Sequence, residues 1–214
     1  MKAILISIHS QWVELILNFI KKDEIRKGTA IGKAITRLIK EQGVAPMLIY
    51  CTKDTKKYHC IKNNSFNYNK YSAIPIPTNK EWYKSMKHIQ LLNGKVVARF
   101  NATADLLELK MIEGGLFFAK PDKEVIELGL NENAQINNFE LLRYTGYKLG
   151  TQISDIHIND LKIFNRPKEL SEFKSCKKNI VNTKINGMVF ETELDNSLIK
   201  APQSWCYVEV EDEE

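Results

Sequence analysis

The four cysteines, Cys51, Cys60, Cys176 and Cys206, form no CxxC pair, so neither a dithiol redox motif nor a paired zinc knuckle is present, and reduced thiols are expected. Cys51, His59 and Cys60 lie close together, but no second cluster completes a tetrahedral set, so no metal is expected. No stretch approaches the roughly 18 uncharged apolar residues that a membrane span needs. The first eight residues lack a cationic segment leading into a long apolar one. The expectation is a cytoplasmic protein with no membrane partner. There is no GxxxxGKS/T loop and no GxSxG elbow, and the pair Gly28 and Gly32 has no phosphate-cradle context. No cofactor is expected on these grounds, and no internal repeat appears.

What is present is ordinary in amount and uneven in placement. The chain has 214 residues, 43% of them apolar, enough to bury a core and to exclude wholesale disorder. The net charge of +5 comes from 31 basic and 26 acidic residues. Residues 1–100 carry 18 Lys and Arg against 6 Asp and Glu, and residues 101–214 carry 13 against 20. A basic first half raises the local concentration of a polyanion such as RNA, and an acidic second half restricts binding to one face. The same lysines would equally serve as a solvated surface.

Alternating, β-branched residues 2–8 predict a strand. Ser10 is placed to cap a helix whose Val13, Ile16, Leu17 and Ile20 form one apolar stripe. Residues 23–27 read as a brief strand or turn. Ile31, Ile35, Leu38 and Ile39 make a second stripe, ended by Gly43 before Pro46. Strands are predicted at residues 47–51, 95–100, 116–119, 157–164 and 204–210, with short helices at 79–89 and from Asn137 or Asn138 to Tyr144, the latter ended by Gly146. Asn93-Gly94 predicts a turn. Residues 52–79, rich in Lys, Asn and Tyr, read as a long polar excursion, and residues 211–214 as an acidic tail. Intermixed elements without regular strand–helix alternation predict a single α+β domain over residues 1–214 around a mixed, partly closed sheet.

Two groups of residues carry chemistry. In residues 21–27, six of seven side chains are charged. If the segment is extended, Lys22, Glu24 and Arg26 share one face, and Lys21, Asp23 and Lys27 the other. Glu24 beside Arg26 can aim an Arg fork at a phosphate, although a surface ion-pair ladder uses the same residues. In the polar excursion Tyr58, Phe66, Tyr68 and Tyr71 interleave with Lys56, Lys57, Lys62 and Lys70, a pattern suited to base stacking with backbone neutralisation or to pinning a loop onto the core. Trp205 reads as core, and His157 as a structural histidine because spacing names no titratable partner for it.

Several of these segments, in order, resemble the ASCH family, whose fold is the PUA-like barrel. The opening MKAILISIHSQWVELILN is similar to a strand and helix reading S-I-x-P-x-W-V-E-x-I-L-N-G. The charged segment resembles K-K/T-x-E-I-R. LIYCTK (48–53) and LNGKVVARF (92–100) resemble strands of the family's phage and Firmicute branch. HINDLKIFNRPKELSEF (157–173) is similar to H-I-S-D-L-x-I-Y/F-x-x-P-K-E-L-S-E-F, and APQSWCYVE (201–209) to its P-P-Q-S-W-x-Y-V-E close.

The resemblance implies a mixed, partly closed β-barrel with flanking helices, and RNA binding in a cleft between barrel and helix. The residues it nominates for nucleic-acid contact, joined to those of the charge pattern, are Lys21, Lys22, Glu24, Arg26, Lys27, Lys53, Tyr58, Tyr68 and His157. Some relatives are hydrolases that use a Lys and a Thr in G-x-K-T-x-T-x-R. On that pattern Lys21 and Arg26 match, the Thr position holds Glu24, and the Gly is Phe19. The Trp before the family's His is Ile156, and its Pro after the first strand is Ser10. A carboxylate cannot replace that hydroxyl without changing the mechanism, so the expectation is a diverged RNA-binding module. The alternatives are an RNA-directed hydrolase, ribonuclease or amidohydrolase, with Lys21 and Glu24 exchanging a proton, and a phage-encoded protein that binds a host protein or ribonucleoprotein.

Overall fold

A computed structural model describes residues 1–53, 58–63, 71–75, 89–112, 115–120, 130–177, 179–185 and 188–211. The order is β1 (Lys2–Ile8), α1 (Ser10–Leu17), β2 (Asp23–Lys27), α2 (Ala30–Gln42), β3 (Pro46–Cys51), β4 (Tyr58–Asn63), β5 (Tyr71–Pro75), β6 (Ile89–Leu91), β7 (Val96–Ile112), β8 (Gly115–Ala119), α3 (Leu130–Ala134), α4 (Asn138–Thr145), β9 (Gln152–Lys168), β10 (Lys174–Ser175), β11 (Asn179–Ile185), β12 (Met188–Leu194) and β13 (Trp205–Glu209). The predicted α+β class is the observed one. Among the described residues no helix is long and apolar enough to cross a membrane.

The main sheet runs β10-β13-β1-β3-β7-β9-β2, with β8 added to β7. Strands β1 and β3 are parallel, and the other ladders of this sheet are antiparallel. β1 reads as a continuous apolar run because both its faces are covered. Ile4, Ile6 and Ile8 enter the main core with α1, α2 and β3, while Ala3 and Leu5 join Leu48, Val96, Phe173 and Val208 in a second core on the other face. A third core gathers Ile25, Leu107, Leu109, Ile153, Ala134 and Leu141 beneath α3 and α4. The predicted stripe of α2 is buried as expected through Ile31, Ile35 and Leu38, and Gly43 ends the helix at φ +80°.

The described ladders leave the sheet open: β2 pairs with β9 but with no strand on its other edge. Arg26 of β2 nevertheless donates from Nη2 to the Ser7 carbonyl of β1 at 2.6 Å. That bond joins two strands separated in the sheet by β3, β7 and β9, so the sheet curves far enough to bring them together.

Three local expectations are corrected. Ser10 is the first residue of α1 rather than its cap, because its hydroxyl donates to the Tyr58 carbonyl at 3.0 Å while His9 takes the capping position. Ile20 leaves the α1 stripe and is 46% exposed, because the helix ends at Leu17 and Phe19 turns to φ +61°. The polar excursion holds strands β4 and β5 in its described parts, and Cys60, Ile61 and Tyr71 are buried there. Asn93 explains part of this packing. Its Oδ1 accepts from the Cys60 N–H, and its Nδ2 donates to the carbonyls of Thr52 and Tyr58. Asn18 fixes the other strand by donating to the Tyr71 carbonyl at 2.9 Å. The predicted helix at 79–89 lies largely outside the described residues, and so do Lys56, Lys57, Phe66, Tyr68, Lys70 and the end of the acidic tail.

Candidate functional site

The turn after α1 determines where the charged segment lies. Asn18 caps the helix, Phe19 adopts the left-handed conformation, and the N–H groups of Ile20 and Lys21 both donate to the Leu15 carbonyl. The Lys22 N–H then donates to the Asn133 carbonyl and the Lys22 carbonyl accepts from Ile158, so the backbone is anchored to α3 and β9 before β2 begins. In β2 the register sets Glu24 opposite Ile156 and Arg26 opposite Ser154, on one face, and Asp23 opposite His157 and Ile25 opposite Asp155, on the other. Cross-strand partners share a face.

On the first face Lys21, Glu24 and Arg26 form a connected network. Glu24 is 6% exposed and forms an ion pair with each cation: Arg26 Nη2 lies 3.0 Å from Oε1, and Lys21 Nζ 3.6 Å from Oε2. Lys21 is itself buried, donates to the Ala134 carbonyl at 2.5 Å and lies 5.2 Å from the centre of the Trp12 ring. Burial pushes the Lys21 ammonium below its ordinary pKa, an effect that Glu24 opposes. The predicted division of the segment is thus corrected at Lys21. It precedes the strand and reaches Glu24 three residues on, instead of lying with Asp23. Arg26 keeps 18% of its side chain exposed, and its Nε is buried without a hydrogen-bond partner among the described residues. Lys22 and Lys27 are exposed at either end.

On the second face His157 stands between two carboxylates, with Nδ1 2.9 Å from Asp23 Oδ1 and Nε2 3.5 Å from Asp105 Oδ2. The bond to Asp23, with burial opposing it and Asp155 adding to it, raises the imidazole pKa to about 9. Lys120 closes the cluster at 2.7 Å from Asp105, and although burial would raise that carboxyl, Lys120 and His157 hold it below its usual range. Asp155 is 2% exposed, its Oδ1 has no hydrogen-bond partner among the described residues, and burial followed by the nearby Asp23 raises it to about 7. Asp23, Asp155 and His157 each offer a ligating atom, all within 4.8 Å of one another. A divalent cation could be held there only by displacing the proton that His157 shares with Asp23. His157 with Asp23 and Asp105 makes a histidine–carboxylate cluster, beside which Asp155 Oδ1 is left without a partner among the described residues. The cluster was not legible in spacing because Asp23 and Asp105 arrive from other strands. The signal that was available is Asp155 and His157 at i and i+2, which any strand reading sets on one face.

No protein-family model matches the chain, and no curated protein sequence matches it.

The remaining nominated residues fall elsewhere. Lys53 is exposed, and its stem packs on the Asn93-Gly94 turn, where a Cβ on Gly94 would sit 2.9 Å from Lys53 Cε. Tyr58 is half-buried in β4, with its carbonyl taken by Ser10 and Asn93. Tyr68 lies outside the described residues. Lys21, Lys22, Glu24, Arg26, Lys27 and His157 come together around β2, while Lys53 and Tyr58 belong to the β3–β4 end. Trp205, read from the sequence as core, is half-buried against the main core.

Proposed function

We propose that this chain is a diverged ASCH domain on a PUA-like, partly closed barrel, and that it binds RNA at the β2 edge beside α1, in the cytoplasm. The observation that carries the reading is the state of Arg26. Glu24 and the Ser7 carbonyl hold its guanidinium in one orientation, and 18% of the side chain stays open to solvent. A permanently charged fork fixed in this way is suited to a phosphate oxygen, and exposed Lys22 and Lys27 extend the cationic strip along a strand edge. Two further features support the resemblance. The Arg26 to Ser7 bond spans the open side of the sheet, as a partly closed barrel requires. Phe19 has the left-handed backbone that the family's glycine would adopt without strain.

A hydrolase reading has one observation in its favour, the buried pair of a lysine with lowered pKa and Glu24. The two readings separate in one experiment. Nucleic acid that copurifies with the protein at low salt is digested with RNase or DNase and analysed by mass, and a defined RNA is then incubated with the parent and with Glu24→Gln. Binding predicts RNase-sensitive material, an RNA mass unchanged by the parent, and a weaker affinity in Glu24→Gln, because Arg26 loses the carboxylate that orients it. A shortened or deacylated product, lost in Glu24→Gln, would replace the binding reading with the hydrolase. Copurification of a host protein with no nucleic acid would overturn both.

A further inference from the structure

A cavity of about 620 Å³ lies between the C-terminal half of α2 and the β13–β10 end of the main sheet. That volume is within the range of small-molecule sites, roughly 300–1,000 Å³. Its walls are fixed by hydrogen bonds. Gln42, at the end of α2, donates to the Lys2 carbonyl of β1 at 2.8 Å. The segment 196–202 is held by Ser175 N–H on the Asn196 carbonyl, Leu198 N–H on the Phe173 carbonyl, and Ser7 Oγ on the Pro202 carbonyl.

The lining divides into two chemistries. Trp205 and Tyr207 project from the same face of β13, half-buried, with ring centres 5.5 Å apart at 88°, beside the buried Leu38 of α2. Around them stand Lys2, Arg37, Lys177 and Lys200, against a single carboxylate among the described residues, Glu41. Arg37, Lys177 and Lys200 form no ion pair among the described residues. Unpaired cations of three separate segments thus converge on one concave space with an aromatic wall. A ligand that satisfies both has a flat, largely apolar ring joined to an anionic group.

We infer that this cavity binds a nucleoside monophosphate, free or as the phosphorylated end of an RNA strand, with the base against Trp205 and Tyr207 and the phosphate between Arg37 and Lys200. The rings give stacking surface that any base can use, and the guanidinium and ammonium give charge-assisted bonds to phosphate oxygens. The inference is independent of the RNA reading of the β2 edge, since no residue of β2 lines the cavity.

The test is calorimetric titration of the full chain with AMP, adenosine and inorganic phosphate, and with a short oligoribonucleotide carrying a 5′-phosphate or a 5′-hydroxyl. AMP is expected to bind saturably to one site, with adenosine and phosphate each weaker by about tenfold or more, and Arg37→Ala and Lys200→Ala each to weaken AMP by about tenfold while melting like the parent. Given that result, a preference for the 5′-phosphorylated oligonucleotide assigns the cavity to a strand end, and equal binding of the two oligonucleotides assigns it to the free nucleotide. No saturation by AMP up to about 1 mM, phosphate binding as tightly as AMP, or AMP binding unchanged in both variants would each overturn the inference. The AMP, adenosine and phosphate outcomes do not depend on Arg26, and the two oligonucleotides are compared in Arg26→Ala so that the β2 edge does not contribute. Failure here and failure at the β2 edge are thus told apart.

Discussion

Phe19 holds a left-handed backbone at φ +61° with 62% of its surface exposed. An L-residue pays roughly 1–2 kcal/mol for that conformation, and an exposed ring recovers little of it by burial. Phe19→Gly is therefore expected to stabilise the protein by about 1 kcal/mol, raising Tm by roughly 2–4 °C. A lower Tm would mean that ring contacts outweigh the strain. The histidine–carboxylate cluster predicts a pH dependence. Asp155 is raised from 3.8 to about 7, so the folded chain binds a proton that the unfolded chain releases, and stability falls as pH rises across that window. His157 is raised from 6.5 to about 9, so its contribution is complete below 6.5 and is lost as pH rises through about 9. Thermal melts between pH 4 and 9 should show a declining Tm, with Asp155→Asn flattening the lower part and His157→Gln the upper. A parent Tm that does not fall over this range would contradict the assignment. Lys21, Glu24 and Arg26 were legible as a charged segment after an apolar helix. Their burial was not, because it depends on α3 and Trp12 closing over Lys21.

Among the elements, β1, α1, α2 and β3 follow from periodicity, since each buries an uninterrupted apolar set. Strands β4 and β5 do not, because their polar composition carries no alternation and their order comes from side-chain bonds of Asn93, Ser10 and Asn18 to their backbone. β9 extends well beyond its predicted 157–164 because it serves two ladders, β2 on one edge and β7 on the other. The close approach of α2 to this part of the sheet depends on Gly32. A Cβ there would lie 2.5 Å from Leu106 Cδ2 and 2.9 Å from Ser154 Oγ, which itself accepts from the Gly32 N–H and donates to the Gly28 carbonyl. Gly32→Ala is expected to cost about 1–3 kcal/mol through overpacking, measured by denaturant unfolding. An unchanged midpoint would show that α2 can retreat freely.

At the scale of the molecule, the two ends of the chain meet. β13 lies between β10 and β1, and Val208 is fully buried in the second core. Deleting residues 201–214 removes that strand and exposes the edge of β1, so the product is expected to lose its cooperative melting transition. A truncated chain melting cooperatively at the parent temperature would show that the C-terminal strand is dispensable. The opening strand was legible from its β-branched apolar residues and the closing strand as the last apolar segment before the acidic tail. Their adjacency was not, because neither segment carries a mark of its partner. The curvature that brings β2 to β1 rests on the same Arg26 that the functional reading uses, so fold and binding must be separated in the deciding experiment. That experiment is a titration of single-stranded RNA into the parent and Arg26→Ala at several salt concentrations, with both proteins melted in parallel. The expected result is a loss of roughly 1–3 kcal/mol in binding and a salt slope smaller by about one contact, with the melt retained. Arg26→Ala that melts like the parent and binds RNA with the parent's affinity and salt slope would contradict the account, leaving the charged segment as an ion-pair ladder that supports the sheet.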